Sequence, residues 1–291
     1  MSKRTLAELL LVLITLIWGA TFVVVKEALN DASPMPFIAL RFILAGALLL
    51  VVLARGQIDP KAVAPGMVLG LFLWLGYAGQ TSGLVYTTPS KSAFITGFSV
   101  ILVPLLMVFW GFRLRAASLA SAAFGLAGIS LLVSPSDSTA LGVNRGDLLV
   151  LLGSVAFAFH IVLVGVYSRR ISFLHLAPVQ ILTVGVLAVV AWPFSPHAFL
   201  HGSGRLISAL LVTAILATAF AFAVQNWAQE FTPPAHTALI FALEPVFAAI
   251  TSRLVLGEHL GKRVLMGAGL ILAGMVFSEI WGGAVPTPVE G

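Results

Sequence analysis

Cysteine is absent from this chain of 291 residues, so neither a disulfide nor a thiolate metal site can form. Charge is nearly as scarce: Asp, Glu, Lys and Arg make up 9% of the residues, against about 25% in an ordinary soluble protein. A soluble fold of this length would still need a charged surface, and there is too little charge here to build one. The chain therefore reads as an integral membrane protein. Sixteen basic residues against 11 acidic ones leave a net charge of +5, spread without a basic run. That excludes a nucleic-acid surface and fits loop charge lying beside anionic lipid. HExxH, GxSxG and the Walker sequence GxxxxGK[ST] are missing, and no helix carries a cluster of carboxylates. Nothing in the sequence provides a nucleotide-binding domain or a nucleophile beside its base, so no enzymatic activity, metal or cofactor is expected.

What the chain does have is apolar length. A helix needs about 20 apolar residues to cross the hydrocarbon core. Ten segments approach that: 7–25, 34–54, 62–86, 92–112, 116–133, 146–167, 173–194, 206–229, 235–256 and 261–281. The basic start Ser2-Lys3-Arg4 precedes an apolar run, as in a signal peptide. No small-residue cleavage site follows directly, so a retained first helix is expected. The longest polar interruption, 134–145, divides the chain into a first five-helix unit (1–133) and a second (146–281), followed by a tail expected to be disordered (282–291). A shift of 146 residues lays Leu84–Leu131 on Glu230–Phe277, where Gly111, Leu114 and Leu126-Ala127-Gly128 meet Gly257, Leu260 and Leu272-Ala273-Gly274. A shift of 139 puts Arg41 on Gln180 and Gly46 on Gly185. An odd number of helices per copy inverts the second copy, and inverted repeats around a midplane site are a mark of secondary transporters. The first half obeys the positive-inside rule with a cytoplasmic N-terminus. The second half does not, as Arg145, Arg205, Arg253, Lys262 and Arg263 then fall outside. Ten spans with both termini in the cytoplasm are expected.

One stretch stands out, Glu230–Leu260. Pro233-Pro234 opens it, and a lone acid followed by proline, Glu244-Pro245, interrupts its middle. A carboxylate inside a membrane-length helix is costly unless paired, protonated or facing water. Proline at 245 removes an intrahelical hydrogen bond and frees a carbonyl one turn earlier. Such breaks persist in a bilayer where protein or a cavity satisfies the loose backbone, so this stretch points inward.

These residues resemble a family. Trp18–Lys26, WGATFVVVK, is similar to the opening helix of drug/metabolite transporters of the EamA type. Tyr86–Leu106 and Ala242–Leu260 are similar to that family's two repeat signatures, and Arg41 sits where its second helix commonly has arginine. The resemblance covers nearly the whole chain. It implies an all-α membrane fold of ten helices, two inverted five-helix repeats around a central cavity, and export of small metabolites, often amino acids. In one place the chain departs from the pattern: Ser154–His160 stands where many members carry a tryptophan, which makes that cavity wall particular to this protein.

Each candidate has a functional and a plain reading. Glu244 either binds a proton or ammonium group or fixes helix packing. His160 either passes protons or joins two helices by a hydrogen bond. Gln80 and Thr81 sit late in the third helix and Gln225-Asn226 late in the eighth. The 146-residue shift pairs Gln80 with Asn226, so amides would face a cavity from both halves. Trp18, Tyr77 and Phe94, with Phe98, would line an apolar-tolerant cavity or simply pack. Pro89, Pro104, Pro233 and Pro245 mark helix breaks where gating could occur. Arg41 is expected to snorkel to the interface rather than meet a solute, and Lys91 to be a solvated interface lysine. Glycines 125, 128, 267, 269 and 274 are expected to let the fifth and tenth helices pack closely.

The resulting expectation is a multi-pass inner-membrane carrier, compatible with a monomer, in contact with lipid and a small amino-acid-like solute. Amino-acid export follows from the resemblance, while the many aromatics near few charges suggest aromatic or bulky apolar solutes. A sugar phosphate would need several convergent cations. The alternatives are a proton-coupled multidrug or lipophilic-cation exporter with Glu244 as its binding acid, a channel, or a membrane enzyme.

Overall fold

The structure, a computed structural model, describes residues 2–111, 116–133, 144–195 and 198–282. Most of the expected connecting segment (134–143) and the expected tail from residue 283 lie outside the described residues. Among the described residues, eight helical stretches, from Lys3–Ala28 to Pro234–Leu256, are long and apolar enough to cross a membrane. Leu9, Val51, Leu152, Val190 and Leu254 are each more than half exposed, as expected for side chains facing lipid. This is an all-α membrane protein.

The helices are α1 (Lys3–Ala28), α2 (Pro34–Val52), α3 (Pro60–Leu84), α4 (Pro89–Thr96), α5 (Phe98–Leu106), α6 (Ala116–Val133) and α7 (Arg145–Tyr167). They continue as α8 (Phe173–Ala191), α9 (Gly204–Ala214), α10 (Ala221–Ala228), α11 (Pro234–Phe241), α12 (Glu244–Leu256) and α13 (Lys262–Gly282). Helix starts follow local chemistry. Ser2, Asp59, Thr88, Asn144, Ser172 and Ser203 each cap a free backbone N–H with a side-chain oxygen.

Three expected single helices are divided. The stretch from residue 92 is α4 and α5, which meet at Gly97, and the stretch from 235 is α11 and α12, which meet at Ala242-Leu243. The stretch from 206 contains a π-helical segment, Ile215–Phe220, between α9 and α10. Pro245 does not kink a continuous helix, as the sequence suggests. It stands in the first turn of α12, where its missing N–H has no intrahelical partner to lose. Pro89 opens α4 in the same way, Pro233 precedes α11, and Pro104 lies inside α5.

Glycine sets the closest helix contacts. On α3, Gly76, Gly79 and Gly83 face Phe157, Gly153 and Gly146 of α7. A Cβ added at Gly83 would lie 2.4 Å from the Gly146 carbonyl oxygen and 2.6 Å from Val150. Backbone cannot swing aside as a side chain can, so Gly83→Ala is expected to destabilise the protein by about 1–3 kcal/mol. A thermal melt in mild detergent measures this, and an unchanged midpoint would show that the α3–α7 contact is looser than described. Gly128 of α6 likewise meets Gly267 and Ile271 of α13, and Gly125 meets Ile101 and Phe98. Gly269 does not share this role, since a Cβ there would meet nothing within 4 Å.

A strap joins the loop after α1 to the loop before α9. Ser33 N donates to the Phe199 carbonyl at 2.9 Å, His201 N to the Asp31 carbonyl at 2.7 Å, and Ala32 and Leu200 form an antiparallel bridge. Arg205 donates two hydrogen bonds to the Asp31 carboxylate, and Ser203 donates another. The Arg205 hydrogen bonds, helped by Ser203, hold the Asp31 carboxyl down at about 2. A depressed carboxylate stabilises above its unfolded value, near about 3.9, and ceases to do so as pH falls through its folded value. The difference in melting midpoint between wild type and Asp31→Asn should therefore be constant above about pH 4 and disappear toward pH 2. The difference will be small, because the pair is exposed. A difference that persisted unchanged at pH 2 would dissociate the strap from Asp31 ionisation.

Candidate functional site

A cavity with about 760 Å³ of empty space, part of it open to solvent, lies between α1, α2, α3, α4, α5, α7, α10, α11 and α12. Its wall combines Trp, Tyr and Phe rings with polar side chains. Trp18 packs edge-on against Phe241 at 5.1 Å between ring centroids and at a tilt against Phe222 at 5.4 Å. Tyr77 stands perpendicular to Phe157 at 5.3 Å. Six of the eight sequence-predicted solute-binding residues line this cavity: Trp18, Tyr77, Gln80, Thr81, His160 and Glu244. Phe94 is packed in the apolar core with Phe98 and Ile101 instead. Asn226 is fully buried and turns its amide to the Phe222 carbonyl one helical turn back, at 2.7 Å. The amide that α10 presents to the cavity is Gln225, one residue earlier.

The polar residues differ in how far the protein satisfies them. Gln80 donates to Thr96 Oγ1 at 3.0 Å, tying α3 to α4 across the wall. His160 Nε2 lies 3.0 Å from Gln180 Oε1. This contact joins α7 to α8. Gln225 donates to Gln229, while its own Oε1 is buried without a partner among the described residues. Glu244 is the first residue of α12, placed on the wall by the break at Ala242-Leu243. Its carboxylate forms no hydrogen bond or ion pair with any described residue.

Arg41 departs most from its sequence reading. It does not snorkel: only 3% of it is exposed, and it lines the cavity. Its Nε donates to Thr218 Oγ1 at 2.7 Å, and its Nη2 reaches the Ala217 carbonyl at 3.3 Å and the Tyr77 hydroxyl at 3.4 Å. The guanidinium also lies 4.9 Å from the Tyr77 ring centroid. Both acceptors on residues 217 and 218 come from the π-helical segment, where Thr218 Oγ1 itself donates to the Thr213 carbonyl at 2.8 Å. A single π-turn inserts one residue into a helix and often marks a functional site. Nothing in the run ILATAF announces it. Lys91, too, is not simply solvated. It pairs with Asp147 Oδ2 at 2.5 Å, a carboxylate with no exposure that also accepts from Thr87 at 2.7 Å. The sequence reading passed over Asp147, although an acid in the first turn of an apolar helix signals either a cap or a buried pair. Among the described residues, no group of three or more His, Asp or Glu side chains is placed to hold a metal ion.

A multi-helix membrane protein with a central, half-polar cavity suits transport, and comparison with known proteins decides the family. The pattern of the EamA-like transporter family matches residues 5–134 and again 144–279. The chain belongs to the EamA-like transporter family. Among its EamA-type relatives, an "uncharacterized transporter" of Archaeoglobus fulgidus is 36% identical over 281 residues, covering 96% of this chain and 87% of the relative. The "uncharacterized inner membrane transporter YedA" of Escherichia coli is 27% identical over 90% of this chain and 86% of its own length. A "probable amino-acid metabolite efflux pump" of Escherichia coli is 25% identical over 95% of this chain and 96% of its own. One solved crystal structure, 19% identical, shares the fold with a TM-score of 0.70 over 95% of this chain and 97% of that one. This EamA-type chain is thus a multi-pass membrane transporter.

Proposed function

We propose that this protein is a secondary transporter of the inner membrane that exports small metabolites, foremost amino acids including aromatic and bulky apolar ones, by alternating access through the central cavity. The observation that carries this reading is the unpartnered Glu244 carboxylate set into an aromatic wall. An amphipathic solute needs both parts, an apolar enclosure for its side chain and a polar group to orient it. The two half-helix pairs, α4–α5 and α11–α12, break at positions 97 and 243, one 146-residue shift apart. Gly111 and Gly257, another pair under the same shift, both adopt the left-handed conformation (φ 83° and 66°) that ends a helix. This parallel supports ten spans arranged as two five-helix repeats, the second inverted because each holds an odd number of helices; cytoplasmic termini and transport without an enzymatic step complete the proposal. The efflux pump among the relatives is named for the same solute class. With Lys91 engaged by Asp147, Arg41 is the one cation lining the cavity among the described residues, too few for a sugar phosphate.

Counterflow in liposomes tests the proposal. Vesicles holding the purified protein and unlabelled tryptophan, phenylalanine, methionine or threonine should transiently accumulate the labelled compound, with or without a pH gradient. The second reading, a proton-coupled exporter of lipophilic cations, draws on the same Glu244 and aromatic wall. Exchange of a quaternary amine alone, and only with a pH gradient, would replace the first reading with the second.

A further inference from the structure

The cavity holds an imbalance that helix packing does not account for. Arg41 is a buried cation that forms no ion pair with any described residue. Its protein partners are all neutral: a hydroxyl, a carbonyl and a phenol. Those contacts use Nε and Nη2, and Nη1 has no partner among the described residues. A buried charge is normally paired, because desolvation is otherwise uncompensated. Glu244, on the wall of the same cavity, is equally unpaired. The Tyr77 phenol is within electrostatic reach of both. Gln225, also on the wall, holds a buried amide oxygen with no partner among the described residues. The site thus presents one spare cation, one spare anion and one spare neutral acceptor.

Rigidity separates the two charges. Arg41 is fixed at three points by α3 and the π-helical segment, and its guanidinium lies over the Tyr77 ring. Trp18 Nε1 donates to the Ala217 carbonyl at 2.8 Å, so α1 is tied to the same backbone turn. A guanidinium held through Nε and one Nη keeps the other Nη free to meet an incoming oxygen without first reorganising.

Resting on the amino-acid reading above, we propose that Arg41 is the carboxylate-binding point of the transported solute, with Thr218 of the π-helical segment as its positioning residue and Glu244 as the counterpart for the solute's ammonium group. The solute class is then a zwitterion with both groups intact. A neutral amide, ester or simple amine lacks half of the match.

Four probes that differ by one group test this on the purified full chain in nanodiscs: phenylalanine, phenylalaninamide, phenethylamine and 3-phenylpropionate, each titrated by thermal shift. Wild type should bind phenylalanine at least tenfold more tightly than its amide, and should bind phenylpropionate. Arg41→Gln should lose phenylpropionate and bring phenylalanine and its amide to within about twofold, while keeping phenethylamine. Arg41→Lys keeps the charge but not the fork and should fall between. Thr218→Val, which leaves Arg41 in the chain, should lower the acid-over-amide preference without altering phenethylamine binding, which mere loss of packing would not do. An acid-over-amide preference that survives in Arg41→Gln, or wild type that binds none of the four, overturns the proposal. The two readings separate in counterflow. Phenylalanine exchange with an unchanged preference in Arg41→Gln keeps the amino-acid reading and removes this site. Phenylpropionate binding that depends on Arg41, without amino-acid exchange, does the reverse.

Discussion

Glu244→Gln is expected to lower transport roughly 10- to 100-fold while leaving the melting midpoint unchanged or slightly higher. The carboxylate has no partner among the described residues and lines the cavity at the α11–α12 break. A hydrogen bond to a charged group contributes about 1.5–3 kcal/mol, and about 1.4 kcal/mol corresponds to a factor of ten. Glutamine keeps the shape and loses the charge, so a residue that only fills space at the break would be replaced without effect. Losing an unpaired carboxylate also relieves an uncompensated charge, which is why stability should not fall. Liposome counterflow and a melt on the same preparation check both halves. Unchanged flux for every solute would assign Glu244 to packing.

The largest effect on stability is expected at Asp147. Its carboxylate is fully buried at the start of α7 and holds the Lys91 ammonium and the Thr87 hydroxyl, both beside the N-terminus of α4. Removing one partner of such a pair leaves the other charge poorly solvated, at a cost of about 3–5 kcal/mol. Asp147→Ala should show this in chemical denaturation. Lys91→Met should show a comparable loss, and the double variant less than the sum of the two. Additive losses would mean that the pair contributes nothing beyond its separate side chains. The neighbouring Ser90 meets Glu258 at 2.9 Å, and Glu258 also accepts from Ser252, so the short helix α4 is held from two sides.

The membrane class and the helices were legible in the sequence because apolar length is a one-dimensional signal. The breaks were half legible. Pro245 and Gly97 stand at or beside them, yet the discontinuity in α11–α12 falls before the proline because proline fits a first turn better than an interior. Trp18, Tyr77, Gln80 and Glu244 could be picked out as polar or aromatic features in apolar runs. Arg41 and Asn226 could not be placed, because which face of a helix meets a cavity depends on rotation about its axis. In α10 that rotation follows from the π-helical residue, and one residue of offset exchanges Asn226 for Gln225.

Helix α6 packs most extensively against α13, although six helices, α7 to α12, lie between them in sequence. Gly128 and Gly267 set that contact. During synthesis, α6 enters the bilayer long before α13 leaves the ribosome, so its glycine-bearing face must meet lipid or an insertion factor in the meantime. The contact between α6 and α13 therefore closes only after α7 to α12 have been made. Chains arrested before α13 should therefore be the form that membrane quality-control proteases recognise.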